Sequence, residues 1–190
     1  MDYSFILNDK INLQDWDQFL ETQDREFSSN LQKLRISDYY IYTDYPLDGY
    51  DAFIIADFFR EKLLLGEHNF SFETVMSHSS KIGFMRKAKT NGFKIYYYFI
   101  CTSDPEINLS RVKNRIQQGG HAVDPEKITS RYYRCLQLLN STFLVADRAF
   151  VIDTTYGDAQ EIVEKNGIDI NVLKDEVPEW VEEYLLKNLK

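Results

Sequence analysis

The chain changes texture near residue 50. Before it, short apolar groups such as Phe5-Ile6-Leu7, Trp16 and Phe19-Leu20 alternate with polar residues and lead into the tyrosine-rich "DYYIYTDYPLDGY". This pattern predicts a short helix over 13–23 and a short strand over 38–43, so residues 1–50 read as an appendage or an insertion. From 51 the periodicity is regular. "DAFIIADFFREKLLL" (51–65) predicts a helix that stops at Gly66. "NFSFET" (69–74) reads as a strand and 79–90 as a helix closed by Asn91-Gly92. "FKIYYYFICT" (93–102) is almost wholly β-branched or aromatic, the pattern of a strand buried on both faces, with its "YYYF" run in the core. Asp104-Pro105 and Asp124-Pro125 each place a capping acid before a proline at the first helical position. They open helices over 104–118 and from 125 to about 140. "RAFVIDTT" (148–155) is a second buried-type strand, and "PEWVEEYLLKNL" a C-terminal amphipathic helix. Strands alternating with helices predict an α/β domain over 51–190, built on a parallel sheet covered on both faces.

Composition narrows the function classes. A chain of 190 residues with 44% hydrophobic residues can build a sizeable core. A net charge of -8 disfavours a non-specific nucleic-acid or anionic-membrane binder, because phosphate backbones repel such a surface, but it leaves room for one local basic pocket. Cys101 and Cys135 are the only cysteines, lack zinc-ligand spacing and suit a reducing cytoplasm. No signal peptide and no apolar run approaching about 18 residues is expected.

Against this acidic background, "RVKNRIQQGGHAVDPEKITSRYYR" (111–134) gathers four arginines and two lysines against Asp124 and Glu126. Arg111 and Arg115 share one helix face, and Arg131 and Arg134 lie three apart on the next helix. Guanidiniums held together repel unless an anion separates them, and phosphate accepts two parallel hydrogen bonds from each. Gly119-Gly120 gives the joining turn freedom to hinge, as a lid would. The alternative is a solvated helix pair whose arginines meet acids elsewhere. Glu73 and Thr74 fall where a strand is expected to end, the usual ligand position in open parallel sheets. Glu73 can accept hydrogen bonds from a hydroxyl-bearing substrate; otherwise Thr74 is a helix cap and Glu73 a surface acid. His78 and His121 stand beside these features, His121 as a turn-packing or phosphate-contacting residue. Neither they nor His68 has metal-ligand spacing.

The ordered set "FET", "P-E-x-x-x-x-R-V-x-x-R", "G-G-H-x-V" and "R-Y-x-R", followed by "ADRAFVIDTT", resembles the zeta-toxin-like P-loop kinases over about residues 51–155. The resemblance implies a nucleoside- and small-molecule-kinase fold with a parallel sheet. It implies ATP and Mg²⁺ as cofactors, and phosphoryl transfer to a hydroxyl-bearing small molecule such as a nucleotide-sugar. It places Arg111, Arg115, Arg131 and Arg134 in a phosphate-binding lid and Glu73, Thr74, His78 and His121 about the substrate. It also suggests an antitoxin-like protein partner. One departure stands out. The P-loop, G-x-x-x-x-G-K followed by Ser or Thr, cradles the ATP phosphates, yet no Gly-Lys dipeptide occurs in the chain. The family's catalytic Asp has Asp44, in "YTDYP", as a weak counterpart. Three explanations follow: a piece of a longer kinase, a member that keeps pocket and lid but not catalysis, or a first strand, "YSFILND" (3–9), carrying an altered loop. Because the P-loop supplies most of the ATP affinity and the Mg²⁺ geometry, ATP turnover by this chain alone is expected to be very slow or absent, and the runner-up function is non-catalytic binding of a phosphorylated metabolite or a partner protein.

Overall fold

The computed structural model describes residues 12–22, 31–37, 40–66 and 69–189. The chain divides into two compact units, Met1–Phe72 and Glu73–Lys190. The segments 3–9 and 38–39, and His68, lie outside the described residues.

In the first unit, helix α1 (Leu13–Glu21) begins at a reciprocal cap in which Asp15 N donates to Asn12 Oδ1 at 2.9 Å and Asn12 N to Asp15 Oδ2. Its buried residues, Trp16 and Phe19, lie three apart and so share a face. Both pack on Phe58 of α2 (Gly49–Leu65), with ring centroids 5.1 and 5.4 Å away. The Trp16 indole donates to Leu31 O at 3.1 Å, so its polar edge is satisfied inside the cluster. Strands β1 (Arg35–Ser37) and β2 (Tyr40–Tyr42) form an antiparallel pair. Arg35 bonds Asp44 at 3.0 Å, and both side chains are largely exposed. This unit has an apolar cluster of its own, and α2 belongs to it.

The second unit is an α/β fold around a four-stranded sheet of order β3-β4-β5-β6. The elements are α3 (Ser80–Thr90), β3 (Tyr96–Cys101), α4 (Pro105–Gln117), α5 (Pro125–Val145), β4 (Arg148–Asp153), β5 (Gln160–Asn166), β6 (Asp169–Val172) and α6 (Glu179–Tyr184). The sheet is mixed, which corrects the expectation of a parallel one. β3 runs parallel to β4, from Tyr96 beside Arg148 to Cys101 beside Asp153, whereas β4–β5 and β5–β6 are antiparallel. The difference comes from a hairpin the sequence reading did not include. β5 and β6 turn at Asn166-Gly167, and Gly167 has φ +64°, a conformation that favours glycine.

A second correction concerns β3. Its Phe99 joins Ala149, Val151 and Val163 in the core, together with Met85 of α3, Leu136, Leu139 and Phe143 of α5, Trp180 and Val181 of α6, and Leu185 just after it. All three helices therefore cover the odd-numbered face of β3 and β4. The alternate positions Tyr96, Tyr98 and Ile100 are 55–63% exposed, with Tyr98 stacked on Phe150 at 4.8 Å. Period-2 alternation puts successive side chains on opposite faces, so one covering layer buries only half of an apolar strand. The strand expected over 69–74 is also not formed. Residues 69–77 run without strand or helix, since a strand persists only where its backbone groups find a ladder partner.

Two polar devices close the core. Lys165 of β5, only 6% exposed, donates to Phe143 O at 3.0 Å, Leu144 O at 2.9 Å and Ala146 O at 2.6 Å. It thereby caps the carbonyl end of α5 with a cation. Asp147 accepts from Lys89 Nζ at 2.8 Å and from Ile95 N at 2.7 Å, tying α3 to the start of β3.

Candidate functional site

In a parallel strand pair, ligands bind beyond the carboxyl ends of the strands. Here those ends are Thr102-Ser103-Asp104 after β3 and Thr154-Thr155 after β4, and hydrogen bonds knit them together. Thr154 N and its hydroxyl both donate to Cys101 O, at 2.9 and 3.1 Å. Ser103 N donates to Thr155 Oγ1 at 2.9 Å. Thr102 is buried; its hydroxyl donates to Asp104 O and accepts from Asn108 Nδ2, and its carbonyl accepts from Tyr132 Oη at 2.9 Å. Burial holds the Tyr132 phenol above its ordinary range. It also pushes the Cys101 thiol up to about 12 and, against the pull of Arg134 and Arg131, the Cys135 thiol up to about 11. Both sulfurs are thus unreactive thiols at neutral pH.

The arginines are placed as follows. Arg111 of α4 reaches the end of β4, donating to Thr154 Oγ1 at 3.1 Å and to Thr154 O. Arg115 leans over the turn that follows α4, its guanidinium toward His121 O at 3.4 Å. That turn needs both its glycines: Gly119 has φ +87°, and a Cβ on Gly120 would stand 2.6 Å from Arg115 Cγ and 2.9 Å from Arg115 O. On α5, Arg134 bonds back to Ser130 O and Oγ, and Arg131 makes no side-chain hydrogen bond among the described residues. All four arginines are exposed, and none forms an ion pair among the described residues. Among the described residues, the carboxylate partners that the alternative reading gives these arginines are therefore not found.

The helix N-termini in this region are already capped. Pro105 and Pro125 have no N–H, and Glu106 N and Glu126 N donate to Asp104 and Asp124 at 2.8 Å. An anion arriving here would meet a carboxylate at each helix start and must be held by side chains. The same observation tests the fit of ATP and Mg²⁺. The residues following β3 and β4 contain no glycine-rich loop with free N–H groups, so the described residues do not fit the P-loop's phosphate cradle. Among the described residues, no group of three or more His, Cys, Asp or Glu could hold a metal ion. No helix among them is long and apolar enough to cross a membrane.

Of the remaining predicted site residues, Glu73, Thr74 and His78 are not joined to the arginines by any hydrogen bond or ion pair among the described residues, whereas His121 meets Arg115 through its carbonyl. Glu73 and Thr74 are exposed in the irregular segment before α3. Thr74 does not cap that helix. His78 instead accepts from Ser80 N at 3.2 Å through Nδ1, which also lies 2.9 Å from Ser80 Oγ. His121 is exposed and contributes its carbonyl to Arg115. The sequence reading missed Ser103, Asp153, Thr155 and Trp180. Asp153, buried at the end of β4, accepts from Thr155 N, Thr155 Oγ1 and the Trp180 indole. Its signal lay in "VIDTT", an acid followed by two hydroxyl residues where a strand stops, the composition of a side-chain-capped turn.

Part of the chain is similar to a protein of Haemophilus influenzae described as an uncharacterized protein, with 38% identity over 63 residues. The match spans 33% of this chain and 45% of that relative. No family model matches the chain, and no solved structure matches it.

Proposed function

We infer that α4 and α5 form the lid of a phosphate-binding site related to that of the zeta-toxin-like kinases. The chain holds a phosphorylated small molecule there without appreciable ATP turnover of its own. The observation that carries this reading is the set of four exposed arginines on two helices that form no ion pair among the described residues, one of them seated at the carboxyl end of the parallel pair. Guanidiniums that meet no acid among the described residues, in a chain of net charge -8, are available to an anion. The resemblance supplies the substrate class, a hydroxyl-bearing molecule such as a nucleotide-sugar, with Glu73 as the acceptor for its hydroxyl. Phosphoryl transfer from ATP would be the ancestral reaction, and the capped helix starts argue against this chain performing it alone. A second reading, non-catalytic binding of an antitoxin-like protein, draws on the exposed apolar positions Tyr96, Tyr98 and Ile100 of β3.

Calorimetric titration of the 190-residue chain with pyrophosphate and with Mg-ATP separates these readings. The phosphate-site reading expects pyrophosphate to bind and the double variant R115A/R131A to lose about tenfold or more in affinity at unchanged circular dichroism. A charge-assisted hydrogen bond contributes about 1.5–3 kcal/mol, and tenfold corresponds to about 1.4 kcal/mol. Equal affinity in the double variant would remove the arginine site. A micromolar dissociation constant for Mg-ATP would overturn the absence of turnover, and no pyrophosphate binding at all leaves the partner-binding reading.

A further inference from the structure

We propose that helix α6 is a positioning element of the anion site, acting through Trp180, Asp153 and Thr155 on Arg111. The proposal rests on the phosphate-site reading. Asp153 ends β4 on the face that α6 covers and is 6% exposed. A carboxylate so placed needs partners, and among the described residues it has no cation. It depends on three neutral donors: Thr155 N on Oδ1 at 2.8 Å, Thr155 Oγ1 on Oδ2 at 3.0 Å and Trp180 Nε1 on Oδ2 at 2.9 Å. Two of these come from its own turn, and the indole brings in a second element.

The orientation is passed onward. A hydroxyl has one proton to donate, and that of Thr155 goes to Asp153. Its lone pair therefore faces Ser103 N, which donates to it at 2.9 Å and fixes the turn before α4. Thr154, between the two, accepts Arg111 at its hydroxyl and its carbonyl. The three-residue turn 153–155 thus carries the Trp180 bond on one side and the seat of Arg111 on the other. Arg111 is exposed and without a carboxylate, so this turn alone among the described residues sets where its guanidinium points. Without the indole N–H, Asp153 keeps only its local donors. The Thr155 hydroxyl then loses its fixed direction and Arg111 its defined seat. Trp180, Asp153 and Thr155 need not touch the ligand; they act through Arg111 and the Ser103 turn.

The test uses the full chain and three substitutions. Trp180→Phe keeps a ring in the core without the N–H, Thr155→Val removes the hydroxyl at constant shape, and Thr155→Ser keeps the hydroxyl. NMR reads the Arg111 Nε resonance and the exchange rate of the Ser103 amide, and calorimetry reads the pyrophosphate dissociation constant. W180F and T155V are expected to shift the Arg111 resonance, speed Ser103 exchange about tenfold and weaken pyrophosphate about three- to tenfold, each a loss on the order of one hydrogen bond. T155S restores all three. If T155V leaves the Arg111 resonance, Ser103 exchange and pyrophosphate affinity unchanged, Trp180 is a core filler and the proposal fails; that outcome holds even where W180F does not fold. Wild-type protein that binds no pyrophosphate sinks the phosphate-site reading instead, while the two NMR readouts still decide the positioning network.

Discussion

Replacing Lys165 by Met tests how α5 is held at its carbonyl end. The substitution keeps an unbranched chain of similar length and deletes an ammonium that donates to three carbonyls at 3.0, 2.9 and 2.6 Å. Each bond to a charged group contributes about 1.5–3 kcal/mol net, so simple addition gives several kcal/mol too much. Two effects reduce it. Burial holds the Lys165 pKa below the ordinary lysine value, with Lys89 adding to the push and Asp147 opposing it, so the cation bears a desolvation cost that the variant escapes. Leu144 is 52% exposed, so water can replace the bond to its carbonyl. The Phe143 and Ala146 carbonyls belong to buried residues and are left short of a donor, at about 1–3 kcal/mol each. The expected loss is about 2–4 kcal/mol in urea unfolding at pH 7, and a fall in Tm on the order of 10 °C for a chain of this size. The pH sign follows from the direction of the shift. The unfolded state holds the Lys165 proton more tightly than the folded one. The wild type therefore gains stability as pH rises through the window that ends near the ordinary lysine value of about 10.4, and K165M lacks this gain. A loss below about 1 kcal/mol would refute the view that Lys165 caps α5.

Two further outcomes are expected. Because burial raises Cys101 to about 12 and Cys135 to about 11, their contribution to stability is intact below the free-thiol pKa of about 8.5 and declines as pH rises from there through 11 and 12. Accordingly, iodoacetamide should modify the folded protein at pH 8 far more slowly than the urea-unfolded chain, and equal rates would contradict the placement of both thiols. On β3, Phe99→Ala should cost about 3–5 kcal/mol while Ile100→Lys, one residue on and 63% exposed, stays within about 0.5 kcal/mol; similar losses from the two would mean that both faces are covered.

Legibility followed the kind of signal. The helices that open at Asp104-Pro105 and Asp124-Pro125 were readable because cap and proline act locally, on their own backbone. The β5–β6 hairpin was carried by Asn166-Gly167, a strong turn signal embedded in strands with many charges, Glu161, Glu164, Lys165 and Asp169. Hydrophobic run length therefore hid it where turn chemistry revealed it. The two faces of β3 could not be told apart from composition, since Tyr96, Tyr98 and Ile100 are as apolar as Tyr97, Phe99 and Cys101. Which set is buried depends on where the helices pack. At the site, the arginine spacing was readable, but the seat of Arg111 was not. That seat joins residues 43 apart in the chain, and the Trp180 bond to Asp153 spans 27, distances at which no local pattern operates.

The placement of α4 and α5 between β3 and β4 has a kinetic consequence. Two parallel neighbours cannot meet through a tight turn, so Tyr96 reaches Arg148 only after the whole intervening segment, arginines included, has compacted. Closing that long loop carries an entropic cost that must be met before the β3–β4 ladder begins to return it. The helical pair that presents the guanidiniums is therefore also the crossover on which assembly of the sheet waits. Substitutions there are expected to change the folding rate, so refolding kinetics of arginine-helix variants should accompany any binding measurement that tests the proposed site.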